Sequence, residues 1–300
     1  MTLLETNIGP LRLGLPGMVA SGIMDETGDS MVRMLELGAG AVVTKSIGSA
    51  PKEGHKNPTF VEYDFGYVNA MGLPNPGIEN FKEEMDIAVK AGTIIGSIFA
   101  SSPEEFAALA KKMESYKASA VELNLSCPHA KGYGMETGTD PNMVRKIVSA
   151  VKDSVRIPVY AKLTPNTHML VDIGKAVQEA GGDGIVAINT LKAMSISPEF
   201  SRPVLSNRFG GLSGQAIRPV GVRAVYDLHA ALDIPLIGVG GIYGWRDAAE
   251  YIMAGASAFQ VGSAIGKNMN VFNEINKGLE RFMKEFGYSS IKKMVGAAHE

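Results

Sequence analysis

The segment Glu122-Leu123-Asn124-Leu125-Ser126-Cys127-Pro128-His129 contains the only cysteine of the chain, just past an apolar run and just before a proline that ends regular structure. A thiol has an ordinary pKa of about 8.5, so on an accessible loop it can exchange a proton near neutral pH. A lone cysteine is more often a small buried hydrophobe. Here Gly132, Gly134 and Gly138 follow closely, which places Cys127 on a glycine-rich loop and favours acid–base chemistry.

Two lysines are placed as if to meet an anion. Lys162 ends Pro158-Val159-Tyr160-Ala161-Lys162, and Lys45 follows Ala41-Val42-Val43-Thr44. An ammonium drawn beside a dry pocket needs a negative partner, either on a ligand or on a carboxylate of the chain itself. The runs Gly238-Val239-Gly240-Gly241 and Val261-Gly262-Ser263 have the small-residue composition with which backbone N–H groups approach a phosphate. The first run lacks the third-glycine spacing and early position of a dinucleotide fingerprint.

Eight short apolar runs position these groups: Gly17–Ser21, Ala41–Lys45, Thr93–Ser97, Ala120–Asn124, Pro158–Lys162, Gly184–Asn189, Pro235–Gly240 and Ala258–Gly262. Continuous apolar runs are the signature of strands buried on both faces of a parallel sheet. Helical patterns separate most of them, among them Pro103–Lys117, Pro141–Val151, Met169–Glu179, Pro219–Leu232 and Trp245–Met253. Several open with Ser-Pro or Asp-Pro signals and close near glycine. Strand and helix alternating eight times without a linker-like shift predict an α/β fold, a single (β/α)8 TIM barrel over residues 1–300, with an open doubly wound sheet as the alternative.

The strand ends then bring Ser21, Lys45, Ser97, Asn124, Lys162, Asn189, Gly240 and Gly262 to one rim, where inward polar groups call for a ligand. The connections Ser46 to Pro76 and Thr190 to Gly214 are too long for turns and leave the same rim, so they are expected to form lids or hairpins over the site.

Bulk properties narrow the partners. A formal net charge of −2 with no Lys/Arg run provides no electrostatic footprint for nucleic acid or an acidic membrane surface. One cysteine can make no internal disulfide and cannot ligate an iron–sulfur cluster. The first residues lack the pattern of a secretory signal, and no stretch of eighteen apolar residues occurs. A cytoplasmic enzyme acting on a small molecule, with no metal ligand set, is the expectation.

Read together, these segments resemble the class 1 dihydroorotate dehydrogenases, and the B type most closely, over essentially the whole chain. The matching stretches are Ala20-Ser21-Gly22, Thr44-Lys45-Ser46, Asn69-Ala70-Met71-Gly72-Leu73-Pro74-Asn75-Pro76-Gly77, Asn124 to Pro128, Ala161-Lys162-Leu163-Thr164-Pro165-Asn166, Ile188-Asn189-Thr190, Gly210-Gly211-Leu212-Ser213-Gly214 and the two glycine loops. The resemblance implies oxidation of (S)-dihydroorotate to orotate in pyrimidine biosynthesis, with Cys127 as the base at C5 and hydride passing from C6 to FMN. It implies a substrate pocket of Lys45, Asn69, Met71, Gly72, Leu73, Asn124, Asn189 and Thr190. It implies FMN contacts from Ser21, Lys45, Ser46, Ser97, Asn124, Lys162, Ile188, Gly214, Gly240, Gly241, Gly262 and Ser263. The B type further implies a partner subunit carrying FAD and a 2Fe–2S centre that delivers electrons to NAD, within a homodimer or heterotetramer.

Two positions depart from the pattern. His129 stands where asparagine often follows Cys-Pro, and Ser97 stands where asparagine commonly ends the third strand. Cys-Pro-His also resembles the flavin domain of dihydropyrimidine dehydrogenases. A barrel that binds a ligand without catalysis is the answer of a different class.

Overall fold

The computed structural model describes residues 2–125 and 137–299. Gly17–Val19, Ala41–Val43, Ile94–Ile98, Ala120–Asn124, Val159–Leu163, Gly184–Ala187, Leu236–Val239 and Ala256–Val261 form a closed barrel. Each strand pairs in parallel with its sequence neighbours, and the eighth pairs with the first. Every apolar run of the sequence supplies one strand, so the barrel expectation holds and the open sheet does not.

Five strands stop a little earlier than composition suggests, and the third and fifth run one residue further. Ser21, Lys45, Asn189, Gly240 and Gly262 lie one or two residues past their strands, whereas Asn124 ends the fourth. Ser97 and Lys162 sit one residue inside the ends of the third and fifth.

Side chains two apart on a strand share a face, and this period sorts the barrel. Val121, Leu123, Val159, Ala161 and Ile185 point outward into the core shared with the helices. Ala120, Tyr160, Ala258, Ile95 and Ile237 point inward and fill the lower lumen. Two residues further along the same inward faces come Glu122, Lys162, Gln260 and Ser97, so the lumen changes from apolar to polar as it rises. Below, the hairpin Thr6–Ile8 and Leu11–Leu13 closes the other end. Ile8 and Leu13 are buried in the lumen cluster, and the Tyr160 hydroxyl donates to the Ile8 carbonyl at 2.9 Å. Strands of three residues are too short to register as alternation, which is why the sequence does not announce this plug.

The outer ring consists of Gly28–Glu36, Lys82–Ala88, Pro103–Ser115, Pro141–Lys152, Leu170–Glu179, Arg218–Ala231, Trp245–Met253 and Val271–Phe286. Local chemistry fixes several ends. Ser102 and Asp140 accept from the N–H groups of Glu105 and Asn142, each followed by proline at the first helical position. Gly287, at φ 77°, stops the last of these helices in the left-handed region. Among the described residues no helix is long and apolar enough to cross a membrane.

The two long connections meet over the barrel mouth. The first folds as Phe60–Tyr63 and Gly66–Asn69, the second as Leu191–Met194 and Phe209–Ser213. Gly211 and Leu212 pair antiparallel with Asn69 and Val68, joining both hairpins into one sheet of four strands. Val68, Ala70 and Leu205 form its own small core.

Candidate active site

Between the strand ends and this sheet lies a cavity of about 1110 Å³. It gathers Ser21, Lys45, Ser46, Asn69, Met71, Gly72, Leu73, Asn124, Lys162, Ile188, Asn189, Thr190, Gly214, Gly240, Gly241, Gly262 and Ser263. Residues from both long connections and from the ends of seven of the eight strands therefore converge, the third strand contributing none. Cys127 and His129 lie outside the described residues. A second depression of about 410 Å³, lined by Trp245, Arg246, Arg281 and Phe282, belongs to the helical ring and draws nothing from the strand ends.

The floor of the cavity is a charged layer. Lys162 Nζ lies 3.6 Å from Glu122 Oε1 and 3.5 Å from Gln260 Oε1, and Gln260 Nε2 donates to Glu122 Oε2 at 2.6 Å. Lys162 and Gln260 face the cavity; Glu122, 1% exposed, lies beneath. Thus the chain supplies one negative partner for Lys162 itself. An ammonium has three donors, and a distant carboxylate and one long bond to Gln260 leave capacity for a ligand above.

Beside it runs a hydroxyl chain. Asn124 Nδ2 donates to Ser46 Oγ at 3.1 Å, and Ser46 Oγ lies 2.9 Å from Ser97 Oγ and 3.4 Å from Ser21 Oγ. Ser97 is fully buried and does not line the cavity; its own N–H donates to Thr44 Oγ1. Its reach to a ligand is through Ser46, because a residue one step inside a strand end sits a layer below the rim and serine, unlike Lys162, is too short to rise from it.

On the far wall, Thr190 N–H donates to Asn189 Oδ1 at 2.8 Å. Asn166 Nδ2 donates to the Thr190 carbonyl at 3.0 Å while its Oδ1 accepts from Lys192 N–H at 2.8 Å, so Asn166 anchors the start of Leu191–Met194. Gly22, on the loop after the first strand, has φ 112° and Gly240, after the seventh, φ 123°, which favours residues without Cβ. A Cβ at Gly22 would meet nothing within 4 Å, and one at Gly262 only Ala20 at 3.6 Å. The backbone at Gly22 and Gly262 is therefore bare toward the cavity, whereas a Cβ at Gly240 or Gly241 would press on Ile217 at 3.0 Å or Arg218 at 2.7 Å.

The sequence reading missed Gln260, Asn166 and Tyr67, which line the cavity, and Glu122 and Tyr243 behind it; the Tyr243 hydroxyl bonds Ser263 Oγ at 3.2 Å, and Glu122 accepts from Gln260. The signal for Glu122 and Gln260 was available: each stands two residues past an inward alanine, Ala120 and Ala258.

Lys45 is buried and its Nζ meets Glu26 Oε1 at 2.9 Å, a partner mostly in solvent. Its backbone N–H donates to the carbonyl of Asp25, whose side chain is fully buried. Asp25 Oδ2 accepts from Gly22 N–H at 2.5 Å, while Oδ1 finds no hydrogen bond among the described residues. Desolvation pushes the Asp25 carboxyl up to about 7, against the Gly22 hydrogen bond and the Lys45 charge; Glu26 adds to the rise. A pKa raised on folding favours the protonated form, so stability is greatest below the unfolded value near 4 and is lost as pH rises through about 7. At the alkaline limit the loss is on the order of 4 kcal/mol, at about 1.4 kcal/mol per pKa unit. We predict that Asp25→Asn, measured without ligand, melts above the wild type at pH 8 and that its advantage shrinks at pH 5. A difference in melting temperature independent of pH would contradict this.

A parallel barrel whose C-terminal mouth carries a buried lysine–carboxylate floor, glycine-rich loops and a two-hairpin lid defines a small-molecule enzyme site. The chain belongs to the dihydroorotate dehydrogenase family, whose model matches residues 3–283. It is 52% identical over 293 residues to the dihydroorotate dehydrogenase B (NAD(+)), catalytic subunit, of Methanosarcina mazei, covering 97% of this chain and 93% of that one. It is 51% identical to the protein of the same name from Pyrococcus abyssi, covering 99% of each, and 51% identical over 300 residues to that of Thermoplasma volcanium.

Proposed function

We propose that this chain is the catalytic subunit of a B-type dihydroorotate dehydrogenase, oxidising (S)-dihydroorotate to orotate with FMN as the resident cofactor. The observation that carries the reading is the cavity itself: seventeen residues expected at substrate and FMN from sequence line one space at the barrel mouth.

The residues present suit FMN. Gly240, Gly241, Gly262 and Ser263, on the loops after the seventh and eighth strands, would hold the phosphate through backbone N–H groups. Lys162, Ser21, Ser46 and Asn124 would hold the ring system, with Ile188 and Gly214 beside it and Ser97 supporting Ser46. FMN, when bound, supplies the acceptor for the hydride leaving C6.

What the chain does for the substrate follows from donor and acceptor types. Asn69, Asn124 and Asn189 have both amide N–H and C=O, which match the alternating edge of a dihydropyrimidine ring. Lys45 offsets the substrate carboxylate, and Thr190 with Met71, Gly72 and Leu73 closes the pocket. Cys127, three residues along the chain from Asn124, takes the C5 proton.

The relatives' names include a catalytic subunit and NAD(+). We therefore infer a partner subunit with FAD and a 2Fe–2S centre that passes electrons to NAD+, in a heterotetramer built on a dimer of these barrels. The lone cysteine suits the reducing conditions of the cytoplasm.

Anaerobic mixing of the FMN-loaded protein with dihydroorotate should bleach the flavin absorbance, while dihydrouracil, which lacks the carboxylate, should leave it coloured. Bleaching by dihydrouracil alone would assign the site to dihydropyrimidines instead.

A further inference from the structure

Lys162 has a role in the proposed FMN site, but its partner Glu122 does not. Glu122 stands on the fourth strand and Gln260 on the eighth, on opposite sides of the barrel, so their 2.6 Å hydrogen bond spans the lumen. Lys162, on the fifth strand beside the fourth, completes the layer. One step lower, Ala120, Ala258 and Tyr160 fill the same lumen with no charge to bury. Burying a carboxylate and an ammonium costs several kcal/mol per ion before their attraction is counted, so packing alone does not call for them.

The geometry restrains the pair. Gln260 Nε2 holds Glu122 Oε2, while Oε1 makes no hydrogen bond among the described residues and stays 3.6 Å from Lys162 Nζ. The carboxylate is close enough to attenuate the lysine's charge and too far to take up its donors. Glu122 does not line the cavity, so it meets a ligand there only through the two groups it touches that do, Lys162 and Gln260.

We propose that Glu122 is a positioning residue that, tethered by Gln260, fixes how much positive charge Lys162 presents to bound FMN and so sets the flavin's reduction potential. This rests on FMN being the resident cofactor. Reduction places negative charge on the ring, which an unattenuated Lys162 would stabilise more strongly. Glu122→Gln should therefore raise the potential. Gln260→Met removes the long 3.5 Å contact of Gln260 Oε1 with Lys162 but frees a full carboxylate charge to close on the ammonium, the larger of the two effects, and should lower it.

The test is a dye-coupled redox titration of the FMN-loaded wild type and both variants, with flavin content and melting temperature recorded for each. The expected shift for Glu122→Gln is upward by at least tenfold in the two-electron equilibrium constant, ~30 mV, with Gln260→Met moving the opposite way. A loaded Glu122→Gln protein at the wild-type potential overturns the proposal, as do two variants shifting in the same direction. If Glu122→Gln fails to hold FMN, an unshifted or raised potential in Gln260→Met overturns it. A wild-type chain that binds no FMN would instead remove the functional reading, a result separate from these.

Discussion

Cys127→Ala is expected to retain FMN and yet to be reduced by dihydroorotate about 10²–10⁴-fold more slowly than the wild type, the usual contribution of a positioned general base. The C5 proton is only weakly acidic, and the asparagine amides proposed to hold the ring cannot accept it at neutral pH. Hydrogen for thiol removes the acceptor with a small loss of volume, and the phosphate contacts assigned to FMN lie on the loops after the seventh and eighth strands. The wild-type rate should also climb with pH as the thiolate fraction grows toward an ordinary cysteine pKa of about 8.5, and the variant's residual rate should lose that dependence. Anaerobic stopped-flow at several pH values measures both. Wild-type reduction rates in Cys127→Ala would remove the thiol from the mechanism.

The barrel was legible in the sequence because each strand carries its own record. Val42-Val43 or Ile94-Ile95, buried on both faces, cannot be confused with a half-wet strand, and eight such runs leave few topologies. The rim residues were legible for the same reason, since the residue following an apolar run is placed by the strand before it. What escaped depended on distance along the chain. The pairing of Asn69 with Gly211 joins segments more than a hundred residues apart, and neither hairpin carries a mark naming the other. The Glu122–Gln260 bond crosses the lumen over 138 residues of separation, and each residue looks like an interruption of an apolar run until the period of two is applied.

The site's electrostatics were half legible. The sequence required a negative partner for Lys162 and left open whether it was a ligand or a carboxylate of the chain; the structure supplies Glu122. Lys45 shows the contrast: its partner Glu26 is mostly in water, where an ion pair contributes about 0–1 kcal/mol. Its burial is therefore left to be justified by the cavity it faces. Ser97, by position a candidate to touch FMN, instead has its hydroxyl bonded to Ser46, because the third strand continues to Ile98 and lowers Ser97 beneath the rim.

Lys162→Met separates the structural and functional shares of the floor. Truncating one member of a buried pair strands the other, and Glu122 is 1% exposed, so the variant is expected to lose about 3–5 kcal/mol of stability in the absence of ligand. Adding Glu122→Gln removes the stranded charge, and the double variant should recover most of that loss. If Lys162 served only the fold, its FMN affinity would recover too. A lysine that holds the flavin is not replaced by the second change: with no cation beneath the ring, the double variant should hold FMN at least tenfold more weakly than the wild type, about 1.4 kcal/mol, and any flavin retained should be harder to reduce. Chemical denaturation of the ligand-free proteins and fluorescence titration with FMN give the two numbers independently. Wild-type FMN affinity in the double variant would reduce Lys162 to a partner for Glu122, and the charged layer to packing.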